Sequence, residues 1–272
     1  NYTLNGLEGR FNVELPSKTM GDTPLSGNVN LDMKVDGNHV KTASGEAGTI
    51  VPLEYTFTGG NHEVSFVAWV QNGDKQESSD PIKISVETHE LAPEQLEIPF
   101  TITPTEDEFR WCTVINANND GQTWTYKTSG TPGDEPCFAY RYDSAYPADD
   151  WFVLPLIDFD DTGMYELTFD LATHMRAETL EVSLADDLNS IGYSESKIAV
   201  YTEFSTGREW QQKKVNLTIN ATGKKYLAFH AASPRNRDYL YVKNISIKHG
   251  ENNTPLLPSI AEINLDGGDG TI

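Results

Sequence analysis

Apolar and polar residues alternate along much of the first third of the chain, which is the period-two pattern of β-strands with one buried face. The pattern is interrupted at Asp36-Gly37 and at Asn72-Gly73, where the residues favour hairpin turns. With Tyr2–Leu4 and a short piece near Val40, it predicts seven short strands, the clearest being the runs 11–15, 29–35, 51–57, 64–70 and 82–86. Seven strands within residues 1–88 are typical of an immunoglobulin-like or fibronectin type III sandwich, and the lack of a cysteine pair there favours the fibronectin type.

An acidic, proline-bearing stretch separates these strands from a second set. Residues 89–99 contain Pro93 and Pro99 together with three acids, and proline is excluded from central strands, so they are predicted to form a linker. Between residues 100 and 249, about ten further short strands without a convincing helix predict a β jelly roll. The predicted fold is therefore all-β, a fibronectin type III-like sandwich at 1–88 followed by a jelly-roll sandwich at 100–249.

The end of the chain is similar to its beginning. Residues 2–11 align without gaps on residues 263–272, with three identical positions, and the second copy follows the proline-bearing segment 255–258. This alignment predicts that residues 250–272 contain a linker and the first strand of a further fibronectin type III-like domain, so that the chain is one period of a repeating array.

The charge of the chain excludes some classes of partner. The formal net charge is −21, from 41 acidic and 20 basic residues, and no run of Lys and Arg exceeds two residues. A nucleic-acid partner is not expected, because nucleic-acid binding needs a basic face. Membrane insertion is not expected either, since no apolar run approaches the ~20 residues of a membrane helix. We expect a monomer located outside the cell or at its surface, with any signal peptide or lipoprotein anchor outside this sequence.

The two cysteines, Cys112 and Cys137, stand 25 positions apart and leave two alternatives open. A disulfide between them would stabilise the fold by roughly 3 kcal/mol in the chain-entropy model. The other alternative is two buried free thiols. Because no CxxC spacing occurs, a redox or zinc role is not favoured.

Enzyme motifs are lacking, and we expect a protein that is not an enzyme. The sequence has no HExxH, GxSxG, Walker A or GxGxxG motif. Its adjacent acid pairs, such as Asp149-Asp150, cannot face each other across a cleft from one strand, and we interpret them as solvated turns.

Two turn-like segments offer ligand-binding side chains. Tyr146 lies within Asp143–Pro147, where an exposed ring could stack on a sugar. Arg235 and Arg237 lie in the segment 234–238, where guanidinium groups could bind an anion or a sugar hydroxyl. The alternative for the arginine segment is an ordinary solvated loop.

Three segments of the second domain resemble, in order, the signatures of one known family. Residues 111–124, WCTVINANNDGQTW, resemble the opening of the cleaved-adhesin and choice-of-anchor J jelly rolls, and residues 148–157, ADDWFVLPLI, resemble their second signature. Residues 210–217 and 224–230 are similar to the closing strands, although residues 242–245 read Val-Lys-Asn-Ile where the family often has an acidic pair. The resemblance implies a non-catalytic jelly roll, like carbohydrate-binding modules and the adhesin regions of secreted proteases. Residues 1–88 resemble the fibronectin type III modules that flank such jelly rolls in Bacteroidetes surface or secreted proteins.

A possible structural calcium site lies in the first of these segments. Asn116, Asn118 and Asp120 place oxygen-bearing side chains at the first, third and fifth positions of a loop, and Gly121 follows. Lys127 stands where an EF-hand needs Glu, so this is not an EF-hand. The resembling jelly rolls bind calcium here with Asp at the position of Asn116. The alternative is an Asx-type turn that needs no metal.

These observations favour an extracellular adhesion or glycan-binding module of a larger secreted or cell-surface protein, whose partner is a glycan or a host or other extracellular protein. The alternative is a pair of structural spacer domains that present a catalytic or receptor domain elsewhere in the chain, such as a secreted protease.

Overall fold

The computed structural model describes residues 1–250, and strands and their connections account for most of them. The chain divides into two units after Leu91, within the predicted linker. The further domain predicted for residues 250–272 lies outside the described residues. Among residues 1–250, no helix is long and apolar enough to cross a membrane.

The first unit is built from two antiparallel sheets. Its strands are β1 (Tyr2–Asn5), β2 (Glu8–Glu14), β3 (Asn28–Val35), β4 (Asn38–Glu46), β5 (Ile50–Thr56), β6 (Gly60–Asn72), β7 (Lys75–Ser78) and β8 (Ile82–Thr88). One sheet has the order β1-β2-β5, and the other has the order β4-β3-β6 with both β7 and β8 paired to β6. The seven predicted strands are present. The eighth strand, β7, was not predicted, because its four residues are all polar and exposed and show no alternation of apolar and polar side chains.

The apolar positions of the predicted alternation form the core of this unit. In β3, Val29, Leu31, Met33 and Val35 are buried, whereas the residues between them are half-buried. The Asp36-Gly37 turn that follows has positive φ values of 51° and 80°, which a two-residue hairpin loop requires. The hairpin predicted from the sequence is therefore present between β3 and β4.

The second unit is a larger sandwich. Its elements are β9 (Leu96–Glu97), β10 (Phe100–Ile102), α1 (Glu106–Trp111), β11 (Thr113–Asn116), β12 (Trp124–Lys127), β13 (Cys137–Arg141), β14 (Asp150–Val153), β15 (Ile157–Phe159), β16 (Gly163–Thr173), β17 (Glu178–Ala185), β18 (Lys197–Phe204), β19 (Gln211–Ile219), β20 (Gly223–Ala231) and β21 (Tyr239–His249). One sheet has the order β12-β13-β21-β16-β19, with β10 on β21. The other has the order β11-β14-β20-β15-β9, with β17 on β20 and β18 on β17. The all-β sandwich predicted from the sequence is confirmed.

Aromatic side chains fill the space between these two sheets. Phe152 lies 4.7 Å from Phe138 and 5.7 Å from Trp124, measured between ring centroids, and all three side chains are buried. The indole N–H of Trp124 donates a hydrogen bond to the Asp150 carbonyl at 3.0 Å. This contact satisfies the polar end of the buried ring and fixes the start of β14.

Two sequence-based expectations are wrong in detail. The predicted linker extends too far, because Leu96 is buried and pairs with Ile157 of β15, so residues from Leu96 onward belong to the second unit. Residues 106–111 form helix α1 rather than a strand or loop. The Thr105 hydroxyl accepts the N–H of Glu108 at 3.1 Å, and this N-cap outweighs the strand preference of the residues that follow.

Candidate functional site

Three connections of the second unit meet at one end of its sandwich and are termed the loop end: residues 117–123, 142–149 and 232–238. The Asn118 side-chain amide donates to the Pro147 carbonyl at 2.7 Å, which joins the first connection to the second. The Asn236 backbone N–H donates to the Asp143 carbonyl at 2.8 Å, which joins the second to the third. The fold thereby brings together side chains that the sequence placed in three separate segments.

Tyr146 lies on the second connection of the loop end. The Asp143 carboxylate accepts the backbone N–H groups of Ala145 at 2.6 Å and Tyr146 at 3.0 Å. These two hydrogen bonds fix the turn, as Asp often does. The Tyr146 side chain is 57% exposed, so its ring is available to a ligand.

The two arginines of the third connection differ in their surroundings. Arg237 is 3.1 Å from the Glu203 carboxylate and its side chain is 28% exposed. Arg235 is exposed, and no hydrogen bond or ion pair to its side chain occurs within residues 1–250. Arg235 is thus the freer of the two predicted ligand-binding arginines.

The predicted calcium loop is a turn in which the side chains of two of the three proposed ligands already accept hydrogen bonds from the loop itself. The Asn118 side-chain oxygen accepts the N–H of Asp120 at 3.2 Å. The Asp120 carboxylate accepts the N–H of Gln122 at 2.8 Å and the Asn118 amide at 3.0 Å. These are the bonds of an Asx-type turn. Among the predicted ligands, Asn116 differs, because its side-chain oxygen is buried without a hydrogen bond.

A buried carboxylate that the sequence analysis assigned to a solvated turn lies beside Asn116. Asp150 is fully buried at the start of β14 and is the register partner of Asn116 in β11. One oxygen of its carboxylate has no hydrogen bond, and neither has the buried hydroxyl of Thr123. Burial raises the pKa of Asp150 to about 6, and the Asp149 backbone N–H, which donates to the other carboxylate oxygen at 3.3 Å, offsets only part of this increase. Apart from the apolar run that follows Asp150, no pattern in the sequence indicates this burial.

The oxygens of Asn116, Thr123 and Asp150 have the chemistry that calcium prefers, since Ca²⁺ is bound by carboxylate, carbonyl and hydroxyl oxygens. The negative charges of Asp120 and Asp149 also raise the pKa of Asp150. A cation bound beside the Asp150 carboxylate would lower this pKa. Within residues 1–250, no cluster of three His, Cys, Asp or Glu side chains has metal-binding geometry. A cation here would therefore depend on neutral oxygen ligands in addition to Asp150.

A histidine connects the loop end to the sheet beneath it. The His230 Nε2 atom is 2.9 Å from the Asp149 carboxylate, and its Nδ1 atom is 3.0 Å from the Glu181 carboxylate. Glu181 also binds the Lys197 ammonium at 2.8 Å. These contacts tie residue 149 of the loop end to strands β17, β18 and β20.

The two cysteines are free thiols, so the disulfide alternative is wrong. The Cys112 thiol donates to the Glu108 carbonyl at 3.3 Å, because Cys112 caps the end of helix α1. Cys137 is buried on the outer face of its sheet, in a cluster with Ala139 and Tyr241. Burial raises the pKa of Cys112 well above its usual range and that of Cys137 to about 12.

Known protein-family models and curated proteins gave no match to the chain. Solved structures similar to it include the K1 and K3 cleaved adhesin domains of Lys-gingipain from Porphyromonas gingivalis. The K1 domain is 16% identical, with a TM-score of 0.45, over 56% of this chain and 98% of that domain. The K3 domain is 18% identical, with a TM-score of 0.43, over 55% of this chain and 96% of that domain. These domains belong to the family that the three sequence signatures predicted.

Carbohydrate-binding modules are also among the similar structures. The C-terminal family 6 module of a marine laminarinase from Zobellia galactanivorans is 13% identical, with a TM-score of 0.36, over 55% of this chain and 98% of that module. At this level of identity, a shared arrangement of strands does not identify a ligand.

Proposed function

We propose that the second unit is a non-catalytic glycan-binding module of a secreted or cell-surface adhesion protein, and that the loop end is its binding site. The observation that carries this proposal is the exposed ring of Tyr146 on a turn held by two hydrogen bonds from backbone N–H groups to Asp143. The partner is an extracellular glycan, either free or attached to a host protein.

The physical basis is the cost of ordering a binding site. A ring on a flexible loop loses conformational freedom when a sugar stacks on it, whereas a ring on a fixed turn loses less. The connection that carries Tyr146 is held at Pro147 by Asn118 and at Asp143 by Asn236. The loop end therefore presents Tyr146 on a backbone that is already ordered.

A glycan array probed with the chain and two variants tests this proposal. Tyr146→Ala should weaken binding to the glycans that the parent retains by about 1 kcal/mol, because a stacking surface is removed. Tyr193→Ala is the matched control, since Tyr193 is also 57% exposed but lies in the connection between β17 and β18. Equal losses in both variants would contradict the assignment to the loop end. Failure of the parent to bind any glycan would favour the structural spacer function.

We also propose that Ca²⁺ stabilises the base of the loop end through the oxygens of Asn116, Thr123 and Asp150. The unpaired, buried oxygens of these residues support the proposal. A cation bound only to the folded state raises stability by mass action, by about 2.7 kcal/mol at a hundred times the dissociation constant. Thermal melts of the chain in millimolar calcium and in chelator measure this difference, and identical melting temperatures would contradict it.

A further inference from the structure

The seven arginines of the chain fall into two groups. Arg10 and Arg110 each lie beside a carboxylate, with Arg10 at 3.3 Å from Glu54 and Arg110 at 3.0 Å from Glu106. The other five, of which one also pairs with a carboxylate, come from distant parts of the sequence of the second unit: Arg141, Arg176, Arg208, Arg235 and Arg237.

The fold brings the second group to the start of β21, beside or within the loop end. Arg141 is the register partner of the first residue of β21. The Arg176 guanidinium donates to the Asn236 carbonyl at 2.6 Å. The Arg208 guanidinium lies 3.2 Å from the His174 Nε2 atom, and the His174 backbone N–H donates to the first residue of β21 at 3.0 Å. Arg235 and Arg237 lie on the connection that precedes this strand.

The charge of four of these five arginines is not neutralised by a carboxylate. Within residues 1–250, Glu203 pairs with Arg237, and no ion pair to a carboxylate occurs at the other four, all of which are exposed: Arg141, Arg176, Arg208 and Arg235. Asp143 and Asp238 of the loop end have other partners, because Asp143 accepts two backbone N–H groups and Asp238 binds His174 at 2.8 Å. Exposed arginines without acidic partners are unexpected in a chain with a net charge of −21.

We propose that the loop end recognises an anionic saccharide, with guanidinium groups binding its carboxylate or sulfate groups and Tyr146 stacking on a sugar ring. This inference rests on the proposed glycan-binding function and names its ligand class. The planar guanidinium fork matches the paired oxygens of a carboxylate or sulfate group, and such charge-assisted bonds are stronger than those to a neutral hydroxyl. Arg141 and Arg235 are the residues assigned to the ligand, because their guanidinium groups form no hydrogen bond within the described chain.

Short ligands are the appropriate probes, because the net charge of the protein repels long polyanions. At 0.15 M salt, exposed charges more than about 8 Å apart are largely screened, so a trisaccharide at the loop end interacts mainly with the adjacent arginines. Trigalacturonate and its methyl ester have the same sugar backbone and differ in charge. A sulfated and an unsulfated dextran oligomer form a second pair, which separates sulfate from carboxylate as the recognised group.

Isothermal titration of the full chain with these four ligands tests the proposal. At least one anionic ligand should bind about tenfold more tightly than its neutral counterpart. Arg141→Gln and Arg235→Gln should each weaken that binding by about tenfold. Arg10→Gln removes the same charge from the first unit and should leave the affinity unchanged. Circular dichroism and thermal melts of each variant confirm that the fold is retained.

The possible failures are distinguishable. Equal affinity for charged and neutral ligands, or arginine variants that behave like Arg10→Gln, would overturn the anionic specificity and leave glycan binding intact. Failure to bind any saccharide, including those of the array, would overturn the proposed function and this inference together. An oligoglutamate peptide that binds as tightly as trigalacturonate would show that charge is recognised without a sugar, which also overturns the inference.

Discussion

The imidazole ring of His230 stacks on the indole ring of Trp151, with the ring centroids 3.9 Å apart and the planes within 1° of each other. The histidine side chain is 12% exposed, and each of its nitrogens faces a carboxylate, that of Asp149 or that of Glu181. One side chain thus covers an aromatic face and connects the loop end to β17.

His230→Ala should destabilise the second unit by about 2–3 kcal/mol, because it uncovers Trp151 and leaves the partly buried Glu181 with one hydrogen-bond partner fewer. Hydrogen exchange measured by mass spectrometry on peptides from β14 and β20 would report the loss. His39→Ala is the control, since the His39 side chain is 51% exposed and should alter exchange little. Unchanged exchange in His230→Ala would contradict a stabilising role.

Asp150→Asn should have opposite effects without and with calcium. Burial raises the folded-state pKa to about 6, above the ordinary value of 3.8. The folded state therefore binds more protons between these values, and stability falls as the pH rises through this window. At pH 7 in chelator, the variant should be more stable than the parent by about 2 kcal/mol.

In millimolar calcium, Asp150→Asn should instead be less stable than the parent, because the only anionic ligand of the proposed site is lost. Urea unfolding in chelator and in calcium measures both differences. Asp160→Asn, at an exposed acid, is the control and should have no effect under either condition. The same sign of effect under both conditions would contradict calcium binding at Asp150.

The ion pair of His62 and Asp36 should make the stability of the first unit depend on pH. The hydrogen bond to Asp36, 2.7 Å long, raises the pKa of His62 above 6.5, and the same bond lowers the pKa of Asp36 below 3.8. The contribution of the pair is complete between pH 3.8 and 6.5. It declines as the pH rises through the folded-state pKa of His62, and as the pH falls through that of Asp36.

An NMR titration of the His62 ring protons checks this prediction. Asp36→Asn should lower the pKa of His62, because the anionic acceptor is replaced by a neutral amide. Glu63→Gln removes a neighbouring charge that pairs with Lys83 and should change the pKa of His62 less. A larger effect from Glu63→Gln than from Asp36→Asn would refute the assignment.

Both thiols should be unreactive in the native protein. A thiolate is the reactive species, and burial raises the pKa of Cys112 and Cys137 so that almost none forms at pH 8. Native protein treated with iodoacetamide should therefore remain unlabelled over minutes, and protein in urea should gain two labels. A mass two units lower in the untreated protein would indicate a disulfide and contradict the free thiols.

The sequence by itself determined that the chain is all-β, because alternation of apolar and polar residues is a local property that depends on the pleat of each strand. The strands of the first unit and the hairpin at Asp36-Gly37 follow from such local signals. Helix α1 was missed because six residues are too few to display a helical period, and its signal is the single cap at Thr105.

Tertiary structure alone decided how distant residues are combined. Strand β21, the last in the described chain, pairs with both β13 and β16, and this places residues 232–238 beside residues 142–149. The exposed arginines gather nearby because strand pairing joins segments about a hundred residues apart, such as residues 138–141 and 239–242, a relationship that no local pattern encodes. The burial of Asp150 has the same origin, since strand pairing places this residue between Asn116 of β11 and Ala231 of β20, which come from distant parts of the sequence.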